Sequence, residues 1–99
     1  MLTLEQSSEI INKEQIEGLH FSHEDVLSLP ADRLWRQHEA ERASTLGNGY
    51  HGKVDIYFQT ADGSVKRVYT TVWAADAEYL TLKSGASIPL RAVLGFDFY

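Results

Sequence analysis

The sequence predicts an α+β domain in which N-terminal helices precede a five-stranded, strongly bent antiparallel sheet or a small, partly open barrel. Three observations predict it. Helix start signals and helical spacing are confined to residues 1–49. From Lys53 the apolar period changes to two. Turn residues then recur at short intervals to the chain end. A chain of 99 residues builds one domain around one core, here a helical half (1–49) and a sheet half (50–99).

Residues 1–11 show no clear period. Leu2, Leu4, Ile10 and Ile11 suit a short strand, and the first few residues are expected to fray. Asn12 to Gln15 reads as a capping box, with Asn12 as N-cap and Gln15 reaching back to its N–H, so Lys13–Glu17 is expected to be helical and to stop at Gly18. Ser22-His23-Glu24-Asp25 reads as a second start, with Ser22 accepting from the Asp25 N–H. Pro30 opens the main helix, where its missing N–H is no loss. Ala31, Leu34, Trp35 and His38 share one helix face and are expected to pack inward. The helix is expected to run to about Ser44 and end at Gly47, leaving residues 47–52 as a link to the sheet.

In the sheet half, Val54, Ile56 and Phe58 alternate with Asp55, Tyr57 and Gln59. Asp62-Gly63 suits a hairpin turn, because glycine takes positive φ without cost. One long strand is expected from Val65 to Ala74, rich in β-branched and aromatic residues. A break at Asp76-Ala77-Glu78 precedes a third strand, Tyr79–Lys83, and Ser84-Gly85 turns the chain again. Ser87–Leu90 is placed at an edge, since Pro89 cannot donate to a ladder. A helical turn at Arg91-Ala92-Val93 leads to a last strand, Phe96–Tyr99.

Charge is divided unevenly. Residues 1–49 hold four Lys/Arg against nine Asp/Glu, and residues 50–99 hold five of each, so the whole net charge of −5 lies in the first half. That half repels a phosphate backbone and attracts a basic surface. The simpler reading of that charge, and the one favoured, is a solvated helix face. The absence of cysteine excludes disulfides, thiolate nucleophiles and Cys-ligated zinc. Met1 to Gln6 lacks a basic n-region and an apolar run, so no signal peptide is expected. No stretch reaches the roughly 20 apolar residues that span a bilayer. Cytoplasmic localisation with no membrane partner is the expectation.

No constellation points to catalysis, a cofactor or a metal. His20, His23, His38 and His51 do not fall on zinc-ligand spacings, and H-E-x-x-H is absent. The serines sit at caps and turns without a G-x-S-x-G elbow. Pairs such as Glu39/Glu41 lie on solvated helix surface, where nothing raises a pKa. Residues 47–52 are glycine-rich but follow a helix and precede a strand, the reverse of a phosphate loop. The candidate binding surface is in the sheet half. Arg67, Tyr69, Thr71 and Trp73 share one strand face by parity, and Tyr50 and His51 stand in the adjoining link. An arginine flanked by aromatics can stack bases or anchor a protein. Against this, Val68, Thr70 and Val72 are a thin apolar face, so the favoured reading places Tyr69 and Trp73 in the core.

The Asp62-Gly63 hairpin, the Glu78-Tyr79-Leu80-Thr81-Leu82 strand and the turn in Ile88-Pro89-Leu90-Arg91-Ala92-Val93 resemble Sm-like and SH3-like small barrels. Within the Sm-like group they look most like the Rho-binding antiterminators, small acidic inhibitors of the transcription terminator Rho. The resemblance covers residues 53–99 and implies a barrel and a regulatory protein partner. Val72-Trp73-Ala74 and Ile88-Pro89-Leu90 are also similar to segments of small bacterial proteins of unknown function. The expected function is thus a protein-interaction or regulatory module with a basic partner, monomeric or weakly dimeric. An Sm-like RNA-binding module is the alternative, disfavoured by net charge, and a small enzyme is the third reading.

Overall fold

The computed structural model describes residues 8–99, and the expectations for Leu2, Leu4 and fraying of the chain start lie outside them. The described elements are β1 (Glu9–Ile10), a 3-10 helix (Lys13–Gly18), α1 (Pro30–Tyr50), β2 (Val54–Gln59), β3 (Val65–Thr70), β4 (Val72–Ala75), β5 (Tyr79–Leu82), β6 (Ser87–Pro89), a 3-10 turn (Leu90–Ala92) and β7 (Val93–Asp97). They form two sheets, of order β1-β3-β2-β7 and β4-β5-β6, with no closed barrel. This corrects the expected fold in three respects. There is one α-helix among the described residues, it follows a short strand, and seven strands rather than five divide between two sheets.

Local chemistry explains where the elements start and stop. The Asn12 N–H donates to Gln15 Oε1 at 2.8 Å, as the capping box requires, although the segment winds as a 3-10 helix. The second start signal makes turns instead of a helix. The Ser22 hydroxyl accepts from the Glu24 N–H at 3.1 Å, and Asp25 Oδ1 accepts from the Leu27 N–H at 2.8 Å. Short polar side chains satisfy the same donors in a turn as at a helix cap. Pro30 opens α1 as expected, but Gly47 does not close it. The helix continues to Tyr50 and ends at His51, whose φ of 53° and ψ of 28° are left-handed.

The long strand expected over residues 65–74 breaks at Thr71. β3 pairs antiparallel with β2 from Gln59↔Val65 to Val54↔Thr70 across the Asp62-Gly63 hairpin, where Gly63 has φ 87°. β4 leaves for the second sheet and pairs with β5, with a register shift between Val72 and Ala74. β1 adds to the free side of β3 in parallel, which a bent antiparallel meander does not contain. β6 lies at the edge of its sheet, where Pro89 is tolerated.

The buried side of α1 is the largest departure. It consists of Arg36, Ala40, Ala43 and Gly47, and it packs against β4 and β7. Small residues let the helix backbone approach closely. A Cβ at Gly47 would stand 2.0 Å from the Val72 carbonyl oxygen. Most large core side chains come from the strands, among them Ile56, Phe58, Val68, Leu80, Leu82 and Ile88, and the 3-10 helix adds Ile16. The face carrying Ala31, Leu34, Trp35 and His38 points outward. Its apolar spacing identified a stripe correctly but assigned it to the wrong side.

Arg36 is the charged member of the buried face, 5% exposed. Its Nη1 and Nη2 donate to the two carboxylate oxygens of Asp25 at 2.8 and 2.7 Å, and Nη1 also donates to the Val93 carbonyl at 3.1 Å. This fork ties the turn before α1 to the helix and to β7. The Arg36 guanidinium holds the Asp25 carboxyl below its ordinary range.

Candidate functional site

The helix face and the sheet face expose two different surfaces. On α1, Leu34 is 74% exposed and Trp35 62%, and Leu29 just before the helix is 59%. Trp35 stacks near His38, with ring centroids 5.8 Å apart. A shallow apolar hollow of about 550 Å³ runs along this face between Ala31 and Glu41. A second, of about 520 Å³, continues from His38 and Glu41 past Arg42 and Leu46 to Tyr50, Phe98 and Tyr99. The helix arginines turn away from solvent or onto partners. Arg36 is buried on Asp25, the Arg33 Nε donates to the Leu27 carbonyl at 2.7 Å, and Arg42 stacks 4.2 Å over the Phe98 ring.

The outer face of the four-stranded sheet carries a polar and aromatic group. Asp55 and Tyr57 of β2 stand opposite Tyr69 and Arg67 of β3. The Arg67 Nε lies 4.0 Å from Asp55, and its guanidinium lies 6.0 Å from the centre of the Tyr57 ring. The Tyr57 hydroxyl donates to Asp97 at 2.7 Å, and Tyr99 donates to Asp55. Burial, with the Asp97 carboxylate second, raises the Tyr57 pKa. The Asp55 carboxylate pushes Tyr99 up to about 12. These shifts arise from pairs that fasten β7 and Tyr99 to the sheet.

The structure gives the candidate residues different neighbours. Arg67 and Tyr69 share the outer face of β3 as parity predicts, and Tyr69 is 53% exposed. Trp73 does not continue that face, because Thr71 is buried and the chain has crossed to the second sheet. The register shift in β4 leaves Trp73 without a partner on β5, so its carbonyl accepts from Asn48 Nδ2 at 2.6 Å and Ser44 Oγ at 3.3 Å while the residue stays 48% exposed. Tyr69 and Trp73 are therefore surface residues, and Val68, Thr70 and Val72 form the buried side. Tyr50 belongs to the hollow beside α1. His51 and Tyr69 line a separate cleft of about 640 Å³, bounded by β1, the start of the 3-10 helix, Lys53 and the β5–β6 turn. That cleft was missed in the sequence, because its lysines, at positions 13, 53 and 83, are far apart along the chain.

Among the described residues no three His, Asp or Glu side chains gather as a metal site. No described helix is long and apolar enough to cross a membrane. Comparison of the chain with protein-family models, with curated proteins and with solved structures returns no match.

Proposed function

We propose that this protein is a protein-interaction module whose docking face is the outward side of α1. Its partner is a basic, amphipathic segment of another protein. The observation that carries this reading is the orientation of the helix. Its most apolar stripe, with Leu34 and Trp35, faces water while alanines and glycine face the core. Leaving a leucine and a tryptophan in water forgoes roughly 1.5–3 kcal/mol each relative to full burial. A bound partner recovers that energy, and Trp is the residue most enriched at binding hot spots.

Charge supports the class of partner. The half of the chain that presents the stripe holds the entire net charge of −5. Glu41 borders both hollows, and the helix arginines are engaged within the chain. An anionic surround speeds encounter with a basic surface. The likeness of residues 53–99 to Rho-binding antiterminators makes Rho the first named partner to test.

The test is binding of purified Rho, and capture from nuclease-treated bacterial lysate, by the wild-type chain and by a Leu34→Ala/Trp35→Ala variant. Both side chains are exposed, so the variant should fold. A hot spot worth about 2 kcal/mol predicts at least a roughly tenfold loss of capture. Trp73→Ala should capture normally. Equal capture by the double variant refutes the docking face. Recovery of RNA alone before nuclease treatment moves the protein to the RNA-binding class. Stable self-association through the same residues makes a second copy the occupant.

A further inference from the structure

We infer that the cleft between β1 and the β5–β6 turn is a binding site for a small multivalent anion of the phosphate type. The chain has four lysines, and three of them, Lys13, Lys53 and Lys83, line this one cleft. They arrive from the start of the 3-10 helix, the residue before β2 and the β5–β6 turn. The tertiary fold alone brings them together. The fourth, Lys66, is placed differently. It is bound to Glu9 at 2.6 Å and is mostly buried.

None of the three cleft lysines makes an ion pair with a described residue. Lys53 instead sits 5.6 Å from the centre of the Tyr69 ring, which holds its ammonium at the cleft wall. Glu14 is the sole acid in the lining. In a chain with fourteen acids against nine bases, that is a local reversal of the overall charge. Like charges sharing one concavity repel, and an anion in the cleft relieves that repulsion. Thr70, Thr71 and Ser84 add hydroxyls at the same wall. The volume of about 640 Å³ is that of a small-molecule site. Three ammonium groups, each with three donors, suit a ligand with two or more phosphate groups better than a single carboxylate. This site is separate from the α1 face and stands or falls without it.

Isothermal titration at low ionic strength with inorganic pyrophosphate and with ADP tests the inference. Saturable one-to-one binding of pyrophosphate is expected. ADP binding more tightly marks a nucleotide as the source of the phosphates, and equal affinity marks the phosphates alone. Lys53→Gln and Lys83→Gln should each weaken binding about tenfold, the loss of one charge-assisted hydrogen bond. Lys66→Gln should leave it unchanged. The cleft lysines are exposed, and circular dichroism of each variant checks the fold. No saturable binding of either probe up to about 1 mM overturns the inference. So does an equal effect of Lys66→Gln, or binding only of a single-stranded oligonucleotide.

Discussion

Replacing Gly47 with alanine sets two effects of similar size against each other. Alanine is favoured over glycine inside a helix by about 1 kcal/mol, and Gly47 lies within α1. Judged by helix propensity, the substitution stabilises. The tertiary structure says otherwise. The new Cβ would lie 2.0 Å from the Val72 carbonyl oxygen and 3.0 Å from Thr71 Cγ2. Ordinary carbon–oxygen contact begins near 3.3 Å, so helix and strand must part by about 1.3 Å. Val72 is fully buried and paired with Leu82, so its carbonyl cannot swing aside. The Asn48 bond to the Trp73 carbonyl, 2.6 Å long, would stretch beyond bonding range. Overpacking costs about 1–3 kcal/mol and the lost bond about 1. The net expectation is a destabilisation of roughly 1–3 kcal/mol after the propensity gain. Gly49→Ala is the internal control. It lies in the same helix with nothing within 4 Å of its Cβ, and should stabilise by about 0.5 kcal/mol. Urea denaturation of the three proteins reads the answer. The expected result is a lower midpoint for Gly47→Ala and a higher one for Gly49→Ala, with unchanged m. A Gly47→Ala protein as stable as the wild type would refute the close approach of α1 to β4.

Asp25→Asn leaves the buried Arg36 without its counter-charge and should cost about 2–4 kcal/mol by the same denaturation assay. Because the folded Asp25 pKa is depressed, the unfolded chain binds more protons in acid. Its contribution is complete above about pH 4, and is lost as pH falls through the lower folded value. The variant should therefore show a shallower loss of stability in acid, and an unchanged slope would refute the pairing. His51→Gly should raise the thermal midpoint by several degrees, since it removes a left-handed conformation costing about 1 kcal/mol from a non-glycine residue. Tyr57→Phe deletes a donor to Asp97 on a ring that is nearly fully buried, and a loss of about 1 kcal/mol is expected. A neutral result there would mean that the Asp97 carboxylate is satisfied by solvent.

The candidate surface was only partly legible. Arg67 and Tyr69 do share a face, because parity within one strand is a local property. Parity counted through Thr71 puts Trp73 on that face, but the chain changes sheets there, and no residue type announces such a crossing. The lysine cleft left no sequence signal, since its parts are joined only by folding. The apolar stripe on α1 is legible from its spacing, but spacing does not say that it faces outward. A small-residue row, Ala40, Ala43 and Gly47, was the available sign that another side of the helix packs closely.

By itself the sequence determined what depends on neighbours along the chain. Pro30 starts the helix, the Asn12–Gln15 box forms, Asp62-Gly63 turns the hairpin, and Pro89 sits on an edge, because each is set by φ preferences or by hydrogen bonds spanning a few residues. Only the tertiary structure decided which side of α1 is buried, where the long strand divides, and that β1 joins β3 in parallel. Those outcomes turn on competition among distant surfaces for one core. Here strand residues such as Phe58, Leu80 and Ile88 filled it, and the helix was left to contribute its smallest side.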